Sequence, residues 1–356
     1  ASNNEGIPIH SWSDVQALVR RGLHSKVFSI GDQLSCQQGE TTLVWDIIGF
    51  DHDTPADATK THSLTLQLHS CLGAFQWDAA EALYYAETGL AAGTYHFTLP
   101  DDYDVSHGGG KTYQFTLAQA VPAGGQIMFP WGYNDQQAAA TKISTYPSQT
   151  SKTAIETVPV SEGSGGNSLG TADGTHPGIN HAHKIRLGSN RYSESDARMW
   201  LNSDQGADQW WTPINPYSRP SAHTDLPGFL SGLDADFLAV IGKTKKTTEL
   251  ALSDGGGSET VSDRFFLLSL SEVYGGSPSD TSEPYPYYSN YSDLSAASSA
   301  PDSNRIKYLN GSAAVWWLRS PRTDIASQTY RVNASGNLSS GGSVNSHGMA
   351  PACNVI

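Results

Sequence analysis

Cysteine is scarce in this chain: Cys36, Cys71 and Cys353 make three, an odd number at no metal-like spacing. Neither a disulfide framework nor a zinc site follows, and all three are expected as buried thiols. Cations are scarce as well, with 21 Lys and Arg against 35 Asp and Glu, a net charge of −14. The one basic tract is Lys243-Thr244-Lys245-Lys246, so a phosphate backbone finds no patch and nucleic acid is not expected as a partner. No apolar run reaches the length of a membrane-spanning helix, so no membrane insertion is expected, and residues 1–6 lack the basic and apolar regions of a signal peptide. Assembly in the cytoplasm fits both absences, and so does a chain trimmed at its N-terminus.

What is plentiful is Gly, Ser, Thr and Tyr, in a chain only 16% charged and 38% apolar. That composition is common in secreted and virion β-rich proteins. At 356 residues there is room for two or three domains with cores of their own.

Residues 11–21 place Trp12, Val15, Leu18 and Val19 on one stripe, with Ser11 or Ser13 as cap and Gly22 as stop. The pattern predicts a short amphipathic helix docked on the core. Two strands are expected next, Val27-Phe28-Ser29-Ile30 and Thr42-Leu43-Val44-Trp45-Asp46-Ile47-Ile48, split by the polar turn Gln37-Gln38-Gly39-Glu40. Asp78-Ala79-Ala80-Glu81 reads as a capping box that opens a helix through Ala86. Thr94-Tyr95-His96-Phe97-Thr98-Leu99 returns as Thr112-Tyr113-Gln114-Phe115-Thr116-Leu117, which predicts two neighbouring strands of one sheet. With Gln126-Ile127-Met128-Phe129 and residues 153–160 they make either a β-rich insertion or a separate accessory domain. Glu162-Gly163-Ser164-Gly165-Gly166-Asn167 is a connector by composition.

Beyond the connector, Ser193-Glu194-Ser195-Asp196 can cap a helix carrying Ala197, Trp200 and Leu201. Residues 227–241 predict a second helix with Phe229, Leu233 and Phe237, and residues 263–270 a buried strand. Residues 275–304 predict a long loop. Its Tyr285, Tyr287, Tyr288 and Tyr291 are expected either as exposed contact aromatics or, equally, packed over the rim of the core.

The C-terminal end is the stretch around which the chain is organised. Ala314-Val315-Trp316-Trp317-Leu318-Arg319-Ser320-Pro321 and Gly348-Met349-Ala350-Pro351-Ala352-Cys353-Asn354-Val355-Ile356 are apolar anchors on either side of a polar middle, residues 322–347. Within it Tyr330 and Val332 fall two apart, the period of a strand with one face buried, which leaves Thr329, Arg331 and Asn333 on the other. Adjacent strand positions face opposite ways, so Trp316 and Trp317 are expected to differ in burial.

These residues carry a family resemblance. Trp316-Trp317-Leu318-Arg319-Ser320-Pro321, then Tyr330-Arg331-Val332-Asn333-Ala334-Ser335-Gly336-Asn337-Leu338, then Gly348-Met349-Ala350-Pro351-Ala352 resemble phage and bacterial C-type-lectin-like domains. Those include the variable proteins of diversity-generating retroelements and share a fold with formylglycine-generating enzymes. Ser195-Asp196-Ala197-Arg198-Met199-Trp200-Leu201-Asn202-Ser203, Phe265-Phe266-Leu267-Leu268-Ser269-Leu270-Ser271-Glu272-Val273 and Phe28-Ser29-Ile30-Gly31-Asp32 fit the same pattern. Where many relatives carry an Arg before the last Pro, this chain has Ala350, so an anchoring salt bridge is expected to be missing.

The resemblance implies an α+β, C-type-lectin-like fold with a β-rich insertion or accessory domain. The expected division is an N-terminal helix in residues 1–25, the first hairpin in 26–50, the insertion in 51–162 and the main ligand-binding domain in 163–356, with a variable-type region at 314–356.

No catalytic constellation stands out. Asp51-His52-Asp53 and His176, His181 and His183 lack the ligand set and spacing of a zinc or calcium site. The calcium motif of sugar-binding lectins has only Glu283-Pro284-Tyr285 as its nearest string. Formylglycine-type chemistry needs cysteines together, and Cys353 has no Cys neighbour in sequence. Ser161-Glu162-Gly163-Ser164-Gly165 sits in a linker rather than at a nucleophile elbow, and Asp101-Asp102 and Asp234/Asp236 are surface charge. No catalytic residue, metal or cofactor is therefore expected.

The reading is a binding protein, with a phage virion or tail adhesin as its first form and a bacterial cell surface as the alternative location. Its partner would be a host cell-surface protein or glycan, and a homotrimer would suit a fibre tip. The alternatives are a structural or decoration protein and a formylglycine-generating-type enzyme. The expected ligand-binding residues are Arg322, Thr323, Asp324, Thr329, Arg331, Asn333, Ser339, Ser343, Asn345, Ser346 and His347, joined by Tyr287 and Tyr288. The eleven in the polar middle are all reachable from AAY codons by changes at adenine, as the retroelement resemblance implies. Such changes never yield Lys, Glu, Gln, Met or Trp, and only Gln328 and Met349 of those types occur after residue 320.

Overall fold

The computed structural model describes residues 9–79, 82–86, 91–98, 112–117, 119–120, 122, 125–128, 144–146, 188–207, 209–210, 225–275, 282–289 and 302–356. Helices are few and short: α1 (Trp12–Arg20), α2 (His24–Val27), α3 (Asp196–Leu201), α4 (Ala235–Val240) and α5 (Leu270–Tyr274). Strands dominate, so the described fold is sheet-rich α+β. The first nine are β1 (Gln33–Gln38), β2 (Thr41–Phe50), β3 (Leu64–Leu68), β4 (Ala74–Gln76), β5 (Ala82–Ala86), β6 (Gly93–Thr98), β7 (Thr112–Leu117), β8 (Gly125–Met128) and β9 (Ser144–Tyr146). After them come β10 (Ile241–Gly242), β11 (Thr244–Glu249), β12 (Ser258–Asp263), β13 (Phe265–Phe266), β14 (Lys307–Leu309), β15 (Ser312–Ala314), β16 (Trp316–Pro321), β17 (Gln328–Val332), β18 (Leu338–Gly342), β19 (Ser346–Gly348) and β20 (Ala352–Val355).

The central sheet runs β1-β2-β3-β20-β10, with β13 also paired to β20, every pair antiparallel. The last strand thus lies inside a sheet begun by the first. β3 and β20 are buried on both faces. Leu64, Leu66, Leu68, Cys353 and Val355 join a core with Val15, Leu18 and Val19 of α1 and Phe237 and Val240 of α4. The alternate positions Thr65, Gln67 and Asn354 are equally buried but polar, and Thr65 Oγ1 donates to Asn354 Oδ1 at 2.8 Å across the register pair.

A second sheet, β18-β17-β16-β19-β4, carries the C-terminal region, with β16 and β19 parallel and the other pairs antiparallel. Trp316 and Trp317 are both fully buried, contrary to the expected difference. They do point opposite ways: Trp317 joins the core with Phe75 and α1, and Trp316 joins a second core with Phe266, Leu268, Tyr285 and Tyr288. Both faces of β16 are covered, and each indole N–H finds a carbonyl, of Arg305 at 2.8 Å and of Phe75 at 2.9 Å.

Several expected elements sit elsewhere. The strand over residues 27–30 is instead the end of α2 and a turn, where Ser29 N–H donates to Asp32 Oδ2 at 2.8 Å and Gly31 takes φ +91°; the first strand starts at Gln33. The helix expected after Asp78 is instead β5, which pairs with β8. The helix over residues 227–241 contracts to α4, capped by Asp234. Residues 263–270 are not one strand: Asp263 ends β12, Phe265 and Phe266 form β13, and Ser269 and Glu272 make a capping box that starts α5 at Leu270. Residues 51–79, grouped with the insertion, supply β3 and β4, which pair with β20 and β19. Two expectations match closely: Ser11 and Asp14 form the capping box of α1, and β6 and β7 pair with Thr98 opposite Thr112. Residues 153–167, Asp101, Asp102, His176, His181, His183 and Tyr291 lie outside the described residues.

Candidate binding surface on the C-terminal sheet

The loop between β16 and β17 is gripped through its backbone. The buried side chain of Asn190 donates from Nδ2 to the carbonyls of Arg322, Ile325 and Gln328 at 2.9, 3.0 and 2.8 Å. Its backbone N–H reaches Ala326 O at 2.8 Å, and Leu252 N–H reaches Thr323 O at 2.8 Å. The turn between β18 and β19 is held the same way: Ser343 N–H donates to Ser327 O at 2.8 Å, and Ser343 O accepts from Trp77 and Asp78. In both loops these bonds fall on backbone groups.

Strand alternation divides the expected contact residues between two faces. Arg331 pairs with Ser339 and with Trp317, so these share one face, to which His347 adds its ring at 4.6 Å from Trp317. Arg331 Nη1 donates to His347 Nε2, and its Nε approaches Ser339 Oγ at 3.5 Å. Burial, then the charge of Arg331, pushes the His347 imidazole down to about 4. Beyond the end of β16, Arg322 forms a two-pronged ion pair with Asp324, Nε to Oδ1 at 3.0 Å and Nη2 to Oδ2 at 2.5 Å, and also reaches Gln328. Gln328 accepts in turn from Ser340. The hydrogen bond to Asp324 raises the Arg322 guanidinium, and its counterpart lowers the Asp324 carboxyl.

Three of the expected contact residues are corrected. Thr329 and Ser343 are fully buried and face each other at 3.4 Å, because the turn holding Ser343 folds over that face of β17. Tyr288 is buried too; its hydroxyl bonds Gln67 of the polar row, so it packs over the core instead of offering contact. Tyr285 is likewise buried, whereas Tyr287 is half-buried with its hydroxyl on Asp46 at 3.2 Å. Asn333 spends its Oδ1 on Ser335 and Asn337 N–H groups, shaping a turn in which Gly336 takes φ +81°. Asp324, Asn345 and Ser346 are exposed, and Arg322, Thr323, Arg331, Ser339 and His347 are half-buried.

Sequence inspection missed what lies beneath. Arg319, fully buried, clasps Glu272 with Nη1 at 2.5 Å and Nη2 at 3.0 Å. Lys246 Nζ bridges Glu272 at 2.9 Å and Asp53 at 2.6 Å, and also donates to Tyr285 Oη at 3.0 Å. Asp53 further accepts from Tyr285 Oη and from Asn354 Nδ2 at 2.7 Å. Burial alone would raise the Glu272 carboxyl; Arg319 and Lys246 outweigh it and hold it at about 2. Burial opposes ionisation of Asp53 as well, and Lys246 overrides it. Two cations and two carboxylates thus balance inside the protein. With Ala350 unable to form an anchoring pair, Arg319 and Glu272 tie β16 to α5. The Glu272 capping box was the one available signal, since the pairing itself joins residues far apart in sequence.

The three cysteines are free and buried. Burial pushes the thiols of Cys36 and Cys71 up to about 11 and about 12, and that of Cys353 well above its usual value, with Cys36 nearby adding to it. Among the described residues no group of three or more His, Cys, Asp or Glu is arranged to hold a metal ion, and no helix is long and apolar enough to cross a membrane.

The model of a family described as a domain of unknown function, DUF6273, matches residues 172–356. The chain belongs to this family. No curated protein and no solved structure matches it. The DUF6273 region contains all of the surface described above, but its last strands are completed from outside it. β3 and β4 flank β20 and β19, and Asp53 closes the ion cluster around Lys246.

Proposed function

We propose that this chain is a ligand-binding protein of C-type-lectin-like build, carried on a phage virion or tail, whose contact surface is the outer part of β16–β19 and their loops. The observation that supports it most is the division of labour there. Bonds to the loop backbone fix the loops: the Asn190 side chain and the Leu252 and Trp77 N–H groups donate to it, and Ser343 N–H donates to Ser327 O. The side chains of Thr323, Asn345 and Ser346 make no hydrogen bond among the described residues. Such side chains can change identity without loss of fold, which a recognition surface of changeable specificity requires. The revised contact set is Arg322, Thr323, Asp324, Arg331, Ser339, Asn345, Ser346 and His347; Thr329, Ser343 and Tyr288 are removed as buried, and Asn333 and Tyr287 because a turn and Asp46 engage their polar atoms.

Adenine-directed diversification of this set accompanies the proposal. Sequencing the encoding locus tests it. A nearby near-identical repeat differing mainly at adenines, together with a reverse-transcriptase gene, is expected; absence of both refutes diversification. The binding role itself is tested by a glycan and bacterial-cell binding screen that compares the intact chain with a variant changed at Asp324, Asn345 and Ser346. The variant is expected to fold and to lose or change its binding, and binding left unaltered would count against this surface.

A further inference from the structure

Among the described residues, Arg331 lacks what five of the nine arginines possess. Arg191, Arg198, Arg305, Arg319 and Arg322 each have a carboxylate within salt-bridge distance: Glu259, Asp263, Asp302, Glu272 and Asp324. Among the described residues Arg331 has only Ser339 Oγ and His347 Nε2, in a chain whose net charge is −14. Accepting from Arg331 requires a neutral imidazole, so His347 leaves the guanidinium charge uncompensated. One Nη1 N–H and both on Nη2 have no acceptor among the described residues. The group is also held in place from below: a Cβ at Gly341 would sit 2.6 Å from Nη1 and 2.8 Å from Cζ, so only glycine lets the planar group lie against that strand. Keeping a half-buried cation without a counter-charge costs free energy, and a ligand anion would offset that cost.

Resting on the reading of this face as the contact surface, we infer that Arg331, with Ser339 and His347 beside it, forms a subsite for a single carboxylate group of the ligand. A carboxylate matches the planar fork in two-pronged geometry. One cation offers one charge, and the acidic protein around it disfavours a dianion such as phosphate. Ser339 Oγ supplies a hydroxyl beside the fork, and the neighbouring Trp317 is covered by the His347 ring.

The test uses the full chain and follows His347 by NMR, because its imidazole reports directly on charge next to Arg331. The probes are D-glucuronate for an acidic sugar, N-acetylglutamate α-amide for an acidic side chain, D-glucose as the neutral control and inorganic phosphate. Either carboxylate is expected to shift the His347 and Trp317 ring signals saturably and to raise the pKa of His347, while glucose and phosphate do neither. The stronger of the two carboxylates identifies the source.

Arg331→Gln is expected to weaken carboxylate binding by about tenfold or more. Arg331→Lys, which keeps the charge and loses the fork, should also weaken it, as should Gly341→Ala, which displaces the guanidinium. Lys245→Gln removes an exposed cation elsewhere and should leave binding unchanged. A carboxylate response equal in Arg331→Gln and the parent, or no response from a folded parent, overturns the subsite. If the change at Asp324, Asn345 and Ser346 abolishes cell binding while Arg331→Gln keeps it in full, the subsite fails and the surface stands. Carboxylate binding at Arg331 with cell binding indifferent to every surface variant sinks the surface and keeps the subsite.

Discussion

Glu272 faces Arg319 and Lys246 at once, and removing its charge would strand two buried cations beside Asp53 alone. Glu272→Gln is therefore expected to destabilise by about 3–5 kcal/mol, read as a lowered urea midpoint at pH 7; a change within experimental error would show that the cluster contributes no net stability. His347 works on a different pH window. Its folded pKa of about 4 lies below its usual 6.5, so between those values the unfolded chain binds more protons than the folded one. Its contribution to stability is full above about 6.5 and is lost as pH falls through about 4. His347→Gln should accordingly lose less stability than the parent on going from pH 7 to pH 5, and parallel pH profiles would contradict the assignment. The charges at these sites were legible as residue types. Their pairing was not, because Asp53, Lys246, Glu272 and Arg319 come from four separate stretches, and no local pattern marks which buried carboxylate meets which cation.

Among elements, the legible ones carry their own start and stop signals. Ser11, Asp14 and Gly22 bound α1, Ser195 caps α3, and the repeated aromatic alternation of β6 and β7 announces a pair. The misplaced elements are those whose ends are set by neighbours. β13 covers two residues ahead of the helix that Ser269 and Glu272 start, and β5 pairs with β8. On β17 the alternation was legible, but the burial of Thr329 came from a turn 14 residues away. Asn190 shows the same dependence on tertiary context: nothing in its sequence neighbourhood marks it as the clamp of the loop before β17. Asn190→Ala leaves three carbonyls without that donor, and an expected loss of about 1–3 kcal/mol should be accompanied by faster amide hydrogen exchange at Gln328 and Ala326 relative to β20. Uniform exchange across both regions would show that the loop is held by other means.

At the scale of the whole molecule, residues ahead of the DUF6273 match finish its sheets, so the matched region is expected not to fold alone. A fragment of residues 172–356 should give poor chemical-shift dispersion where the full chain is well dispersed; a folded fragment would contradict the role assigned to β3, β4 and Asp53. The proposed function divides the same architecture into a support, made of the ion cluster and cores, and a display surface whose side chains change without loss of fold. The most direct test of that separation is bacterial-cell and glycan binding by the intact chain and by the variant changed at Asp324, Asn345 and Ser346, measured with thermal unfolding of both. An unfolding midpoint within a few degrees of the parent together with lost or altered binding is the predicted result. Binding that persists unchanged on a properly folded variant would contradict it.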